Sequence, residues 1–372
     1  MALDVAQAGV YSPLLTQHAW RGRPGMTGAQ ANGAHPTPER ILQTGTAFMP
    51  AKILIGAIRM GLFTHLAGGP MSGADVAKAL RLQSRGLYDF LDALVALGFL
   101  EREGLLDTAR YRNTVETGLF LDRNKPSYVG GILEMANDRL YPFWSDLETA
   151  LRTGRPQNEI KHGGADLFAE LYADPERLEQ FMAAMAGVQM GNFRALAETF
   201  DFSGYRTLCD VGGASGALSI QVALRHPHMR CISADLGAVE PIAKRRIQAA
   251  GVADRVETRV LDFLKDPWPS ADVITMGNIL HDWGEAEKMQ LIRSAHAALK
   301  EGGVLIAIEN VIDDERRHNA FGLMMSLNML IETPAGFDYT GADFARWASE
   351  AGFRETTVVP LVGPGSAAIA RK

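Results

Sequence analysis

The sequence predicts an α/β chain: a mainly parallel sheet with helices on both faces, preceded by a helical, winged-helix-like region. Two observations carry this. After Asp201, short β-type runs alternate with helical stretches, the signature of crossover units. Before that point, apolar residues recur at helical spacing almost without interruption.

Four segments follow from these patterns. Residues 1–37 are rich in Gly, Ala, Gln and Pro without a period and read as a flexible leader, with Met26 as a second candidate start. Residues 38–124 read as helix, turn, helix and a small β wing. "MPAKILIGAIRMGLFTHLA" reads as one helix, "SGADVAKAL" as a helix capped by Ser72, and "SRGLYDFLDALVALGFLERE" as a helix capped by Ser84. A winged helix raises DNA binding, yet this third helix is apolar on most faces and carries Asp89 and Asp92 against one Arg. Burial against a second subunit suits it better. Residues 125–200 look helical throughout, and residues 201–372 hold the sheet. Its strands are expected at "YRTLCDV", "MRCISADL", "RVETRVL", "ADVITMG", "GGVLIAIE", "TTVVPL" and "SAAIARK", the last two close enough for an antiparallel hairpin.

The bulk composition excludes several classes. The net charge of −6 argues against a nucleic-acid partner. The two cysteines, Cys209 and Cys231, lie in apolar runs and read as buried strand residues in a reducing compartment. No uninterrupted apolar segment reads as a membrane span, and the N-terminus lacks a secretion signal; a cytoplasmic chain is expected. No His, Cys and carboxylate set has metal-ligand spacing, so no metal is expected.

"LCDVGGASG" closes the first strand of the sheet and opens a helix. Gly212, Gly213 and Gly216 would let the backbone approach a ligand at a helix N-terminus. Asp210 stands just ahead of the glycines, separated from them by Val211, where a carboxylate suits a ligand carrying positive charge. Asp235, followed by Leu236, ends the second strand, where it can accept ribose hydroxyls. Asp262 ends the third, where it can accept from an adenine amino group while Phe263 packs on the ring. An acid at three successive strand ends is hard to explain by helix capping alone.

These residues resemble the Rossmann-like class I methyltransferase fold, with a seven-stranded, mostly parallel sheet. Together with "LHDW", "ADFARWASEAGF" and the winged helix, they resemble the plant-type small-molecule O-methyltransferases and their bacterial relatives. The resemblance implies S-adenosylmethionine as cofactor, S-adenosylhomocysteine as product, Asn278 beside the cofactor, and a homodimer built on the N-terminal domain. The family commonly has a third Gly where this chain has Ala214, and plant members often carry Lys where it has Gly277.

In "GNILHDWG", His281 follows the fourth strand and Glu309 ends the fifth, on the cofactor side of the sheet. A neutral imidazole suits removal of a phenol proton, and Glu309 would orient the ring through its other nitrogen. The resemblance gives Asp338 as a second acid. An alternative acceptor is the thioether of an acid such as 4-methylthio-2-hydroxybutyrate, methylated on the way to dimethylsulfoniopropionate. Sulfur carries no proton and needs no base, only alignment in a dry pocket. Arg139 or Arg194 would then hold the carboxylate, with Tyr141, Trp144, Asn192 and His281 as polar partners. Met185, Met325 and Met329 would suit either acceptor. Two readings from other classes are a winged-helix regulator that senses the cofactor and an NAD oxidoreductase.

Overall fold

The computed structural model describes residues 36–125, 127–162 and 175–372. The leader expected over residues 1–37 thus lies almost wholly outside the described residues, as does 163–174 of the expected helical region. The described residues up to Leu42 form one unit and Gln43–Lys372 another. The first opens the Glu39–Gly45 helix.

The long helix expected from "MPAKILIGAIRMGLFTHLA" is two, Phe48–Arg59 and Leu62–Leu66, because Gly61 turns the chain at φ +75°. Ser72 caps Gly73–Leu80 as expected, its hydroxyl accepting the Asp75 N–H at 3.1 Å. Ser84 does not cap the next helix. That helix starts at Leu87 after Gly86 (φ +80°), and ends at Ala96 rather than Glu103. Gly98, at φ +78°, then turns the chain into a strand.

Three short strands, β1 (Met71–Ser72), β2 (Leu100–Glu103) and β3 (Arg110–Asn113), form an antiparallel wing in the order β1-β3-β2. The apolar face of Leu87–Ala96 is used inside its own domain: Leu87, Leu91 and Leu94 are buried with Leu62, Phe63 and Tyr111. Asp92 is engaged by the Tyr111 hydroxyl at 2.8 Å and by Arg102 at 2.7 Å. The exposed large apolar side chains of this region include Phe48, Met49, Leu97 and Leu119. The helical stretch Glu39–Arg59, with mean hydropathy 1.4, has the length and composition to cross a membrane, which the reading of apolar runs did not register. Its Ile55, Ala57 and Ile58 are buried in the N-terminal core.

Between the wing and the main sheet, the helical segments Gly130–Met135 and Tyr141–Trp144 flank a π-helical turn at Ala136–Leu140. A long helix, Pro175–Thr199, leads into the sheet.

All seven strands expected after Asp201 form. They are β4 (Thr207–Val211), β5 (Arg230–Asp235), β6 (Val256–Val260), β7 (Ala271–Gly277), β8 (Leu299–Glu309), β9 (Glu355–Pro360) and β10 (Ser366–Arg371). Their order is β6-β5-β4-β7-β8-β10-β9, parallel except for β10, which is antiparallel to both β8 and β9. Alternation along β8 shows how the sheet feeds two cores. Val304, Ile306 and Ile308 face a cluster with Leu218 and Val222, while Leu305 and Ala307 face one with Leu291, Phe344 and Trp347. Strand order reverses at β4, which lies between β5 and β7 and so opens a crevice at its carboxyl end.

Candidate active site

The glycine turn fills that crevice. Gly212 (φ +70°), Ala214 (φ +49°) and Gly216 (φ +74°) all take left-handed backbone, so Ala214 holds a conformation that glycine adopts without strain. The Gly212 and Gly213 N–H groups donate to the Ala234 carbonyl of β5, at 2.9 and 3.1 Å. Asp235 holds the turn from below, its two oxygens accepting the Ala214 N–H at 2.8 Å and the Leu236 N–H at 2.7 Å. Asp210 is buried, and its Oδ1 accepts the Thr275 hydroxyl at 2.7 Å. Burial pushes its carboxyl up to about 7; the Thr275 hydroxyl opposes this and the Asp235 charge adds to it.

Asp262 is held by Lys265 at 2.7 Å and by the Leu264 N–H at 3.2 Å. Phe263 meets the Trp283 ring edge-on, centroids 5.9 Å apart. A Cβ at Gly212 would fall 2.3 Å from Ile279 Cδ1 and 3.9 Å from Phe263. The turn is therefore lined by Phe263 and by the segment that carries His281.

His281 lies in the Leu280–Asp282 turn just beyond β7 and is only 5% exposed. Its Nδ1 is 3.5 Å from Asp338 Oδ1, and its Nε2 is 3.5 Å from Asp282 Oδ1. Burial alone would lower the imidazole pKa, but Asp282, Glu309 and Asp338 outweigh it and raise the pKa to about 10.

Glu309 does not orient the ring, contrary to the sequence-based expectation. Its Oε1 accepts the backbone N–H groups of Ile279 (3.1 Å), Leu280 (2.8 Å) and His281 (3.3 Å). A strand-end carboxylate thus caps the turn, and Asp338 is the acid at the ring. Asp338 is itself anchored, its N–H donating to the Ser326 hydroxyl at 3.2 Å. Donor atoms of His281, Glu309 and Asp338 lie within 4.8 Å of one another, a convergence that spacing along the chain did not register when it pointed to no metal. The set also faces a cation of the chain itself, Lys288, which the sequence reading passed over.

The expected substrate residues divide. Trp144 Nε1 donates to Asn328 Oδ1 at 2.9 Å. Asn328 shares the Ala320–Glu332 helix with Met325 and Met329, and that helix packs against the His281 turn. Met185 lies on Pro175–Thr199 between Met182, which clusters near Ala214, and Phe193, 3.4 Å from a Cβ at Gly277. The remaining polar candidates are otherwise engaged. Arg139 binds Glu159 at 2.7 and 2.9 Å and Glu332 at 3.1 Å, so its guanidinium already has two carboxylates. Asn192 is buried, donating to Gln189 at 2.9 Å and accepting the Val362 N–H at 3.0 Å. The Tyr141 hydroxyl donates to the Phe48 carbonyl at 3.4 Å, and Arg194 is exposed.

Two family models match this chain: the O-methyltransferase domain over residues 144–354 and the O-methyltransferase dimerisation domain over 42–123. The chain belongs to the O-methyltransferase family. The tetracenomycin polyketide synthesis 8-O-methyl transferase TcmO of Streptomyces glaucescens is 41% identical over 335 residues, covering 90% of this chain and 97% of that protein. The 3-hydroxy-5-methyl-1-naphthoate 3-O-methyltransferase of Streptomyces sahachiroi is 34% identical over 346 residues, 92% and 97% of the two chains. Human N-acetylserotonin methyltransferase, solved with S-adenosylmethionine, superposes with a TM-score of 0.84 at 30% identity, over 92% of this chain and 99% of that one.

The cofactor of this O-methyltransferase is S-adenosylmethionine, and the enzyme methylates oxygen on small molecules. The residues present fit that cofactor. Asn278, in left-handed backbone (φ +52°) at the mouth of the crevice, has a buried Oδ1 without a hydrogen-bond partner among the described residues. Gly213 lies so close to Asp210 and Ser233 that a Cβ would meet them at 3.0 and 2.5 Å, which leaves bare backbone at the turn.

Proposed function

We propose that this O-methyltransferase methylates an aromatic hydroxyl on a fused-ring acceptor, works as a homodimer, and uses His281 as general base. The observation that carries the reading is the buried His281 beyond β7, with Asp338 at Nδ1. The similarity to TcmO and to the naphthoate 3-O-methyltransferase supports an aromatic, polyketide-type acceptor. The Trp144, Met325 and Met329 side chains on helices near the His281 turn support a broad apolar ring, because thioether side chains adapt to flat surfaces. The dimerisation-domain match and the exposed Phe48 and Met49 support pairing of two copies.

A phenol has a pKa of about 10 and must shed its proton as its oxygen attacks. His281 Nε2 takes that proton while Asp338 fixes the ring through Nδ1, the arrangement in which a third group orients the base. Glu309 holds the backbone that carries the ring. S-adenosylmethionine, when bound, supplies the electrophilic methyl on a sulfonium whose positive charge also favours the neutral imidazole. Only the neutral imidazole accepts a proton, so kcat/KM rises with pH through the His281 pKa.

One assay tests the aromatic hydroxyl against the thioether acid that the sequence raised. Labelled methyl transfer is measured to fused-ring phenols and to thioether acids, with wild type and His281→Ala. The proposal expects phenol turnover that falls by roughly 10²–10⁴-fold in the variant. Turnover of thioether acids alone, insensitive to His281→Ala, overturns it in favour of S-methylation. Tight cofactor binding without transfer to either pool overturns the proposed acceptor class.

A further inference from the structure

Thr275 is fully buried in β7, in register with Asp210 of β4, which is itself in register with Ser233 of β5. Paired residues on neighbouring parallel strands send their side chains to the same face, so the three polar groups form a row across the middle of the sheet. Apolar residues surround the row: Val273, Ile274 and Met276 on β7, and Leu208 and Val211 on β4, are buried with it. A hydroxyl in such a place must find its acceptor within the chain. The Thr275 hydroxyl donates to Asp210 Oδ1 at 2.7 Å, and among the described residues no other side chain donates to that carboxylate. The second oxygen faces the glycine turn, where a Cβ at Gly213 would fall 3.0 Å from Asp210 Oδ2.

S-adenosylmethionine carries its positive charge on the sulfonium and the amino group of its methionine moiety, so a carboxyl group at the turn attracts it only while ionised. Burial works against ionisation and brings Asp210 up to about 7, and the Asp235 charge on β5 adds to the rise. The other titratable neighbours are the thiols of Cys209, on the same strand, and Cys231, on β5. Burial first and then Asp210 push both up to about 12, so they stay neutral. The Thr275 hydroxyl acts in the opposite direction, because a donor favours the ionised form that it bonds. Valine would suit the strand as well as threonine does, and would leave Asp210 Oδ1 buried without a donor.

We propose that Thr275 is a positioning residue for the cofactor: by donating to Oδ1 it keeps Asp210 a carboxylate, whose Oδ2 receives the positively charged methionine moiety of S-adenosylmethionine at the glycine turn. The role concerns cofactor capture alone, and it holds whichever acceptor is methylated and whether or not His281 is the base.

The test is Thr275→Val, similar in shape but without the donor, with Thr275→Ala as a second donorless variant and Thr275→Ser to return the hydroxyl. Calorimetry on the full-length protein measures binding of S-adenosylmethionine, and of adenosine, which carries neither positive charge, from about pH 6 to about pH 9. The ratio of wild-type to variant affinity at each pH cancels the titration of the cofactor itself. If the Asp210 midpoint moves from about 7 to about 8, its ionised share at pH 7 falls from about one half to about one eleventh. The expected result in both donorless variants is therefore a roughly fivefold loss of S-adenosylmethionine affinity at pH 7 that nearly closes by about pH 9. Adenosine should bind as to wild type, and Thr275→Ser should restore the cofactor affinity. An affinity ratio that does not change with pH, or an equal loss for adenosine, overturns the proposal and leaves Thr275 a packing residue. In an Asp210→Asn background the Thr275→Val change should have almost no effect on S-adenosylmethionine binding; a fivefold loss there overturns the proposal as well.

Discussion

Replacing Glu309 distinguishes a carboxylate that caps a backbone turn from one that steers an imidazole. Its Oε1 accepts three N–H groups, two of them at 2.8 and 3.1 Å, and the side chain is 2% exposed. Hydrogen bonds to a charged acceptor contribute about 1.5–3 kcal/mol each. Glu309→Ala forfeits two good ones, a gross loss of about 3–6 kcal/mol. Part of this is returned, because burial already raises the Glu309 pKa and so disfavours its ionised form, with His281 and Lys288 opposing. A net loss of about 2–4 kcal/mol results, which in a chain of this size lowers Tm by roughly 3–6 °C. Glu309→Gln keeps an oxygen for the turn and sheds the charge, so its Tm should stay within about 2 °C of wild type. The sign of the pH effect follows from the raised pKa. Wild type loses stability relative to Glu309→Gln as pH rises above the ordinary carboxylate value of 4.5. Thermal melts at several pH values, with kcat on the same samples, make the assay. If both variants lose activity equally and both melt with wild type, the carboxylate acts on the ring and the capping argument is wrong.

Two further outcomes are expected. Asp272 ties the start of β4 to β7 and β8, accepting the Arg206 and Thr207 N–H groups at 2.9 and 2.8 Å and pairing with Lys300 at 3.0 Å. Burial opposes these partners, yet they bring its carboxyl down to about 2 from 3.8, so it contributes about 2 kcal/mol above pH 3.8 that disappears as pH falls through 2; acid unfolding of Asp272→Asn should lack that loss. At the strained φ of +49°, Ala214→Gly should leave Tm unchanged or raise it by about 1–2 °C, whereas Ala214→Val should cost about 2–3 kcal/mol in thermal melts.

Much of this fold was legible because its signals are local. Each β run after Asp201 sits between turn residues, and the acids at Asp210, Asp235 and Asp262 mark strand ends whatever the tertiary packing. The helix around Leu87–Ala96 was misjudged at both ends for a local reason: Gly86 and Gly98 in left-handed backbone outrank Ser84 and the apolar run to Leu100. The partner choices were not legible. Glu309 and Asp338 both follow strands or loops near His281, and only coordinates assign one to the backbone and the other to the ring. Arg139 and Asn192 have the right chemistry for a substrate, but Glu159, Glu332 and Val362 reach them from far along the chain. Lys288 left no sign at all. In "GEAEKMQL" it reads as a solvated helix residue, and burial is decided by Phe337 and Trp347, about 50 residues onward.

The π-helical turn at Ala136–Leu140 has a mechanical consequence. Each residue added to or removed from a helix rotates everything beyond it by about 100°. The wide turn therefore acts as an angular offset between Gly130–Met135, which packs on the Pro175–Thr199 helix, and Tyr141–Trp144, which carries the indole that meets Asn328. Deleting one residue there would restore ordinary helical bonding and strengthen the local backbone. The same deletion would swing Trp144 out of register with Asn328. At this place the shape of the pocket wall is encoded by chain length, independently of which side chains line it.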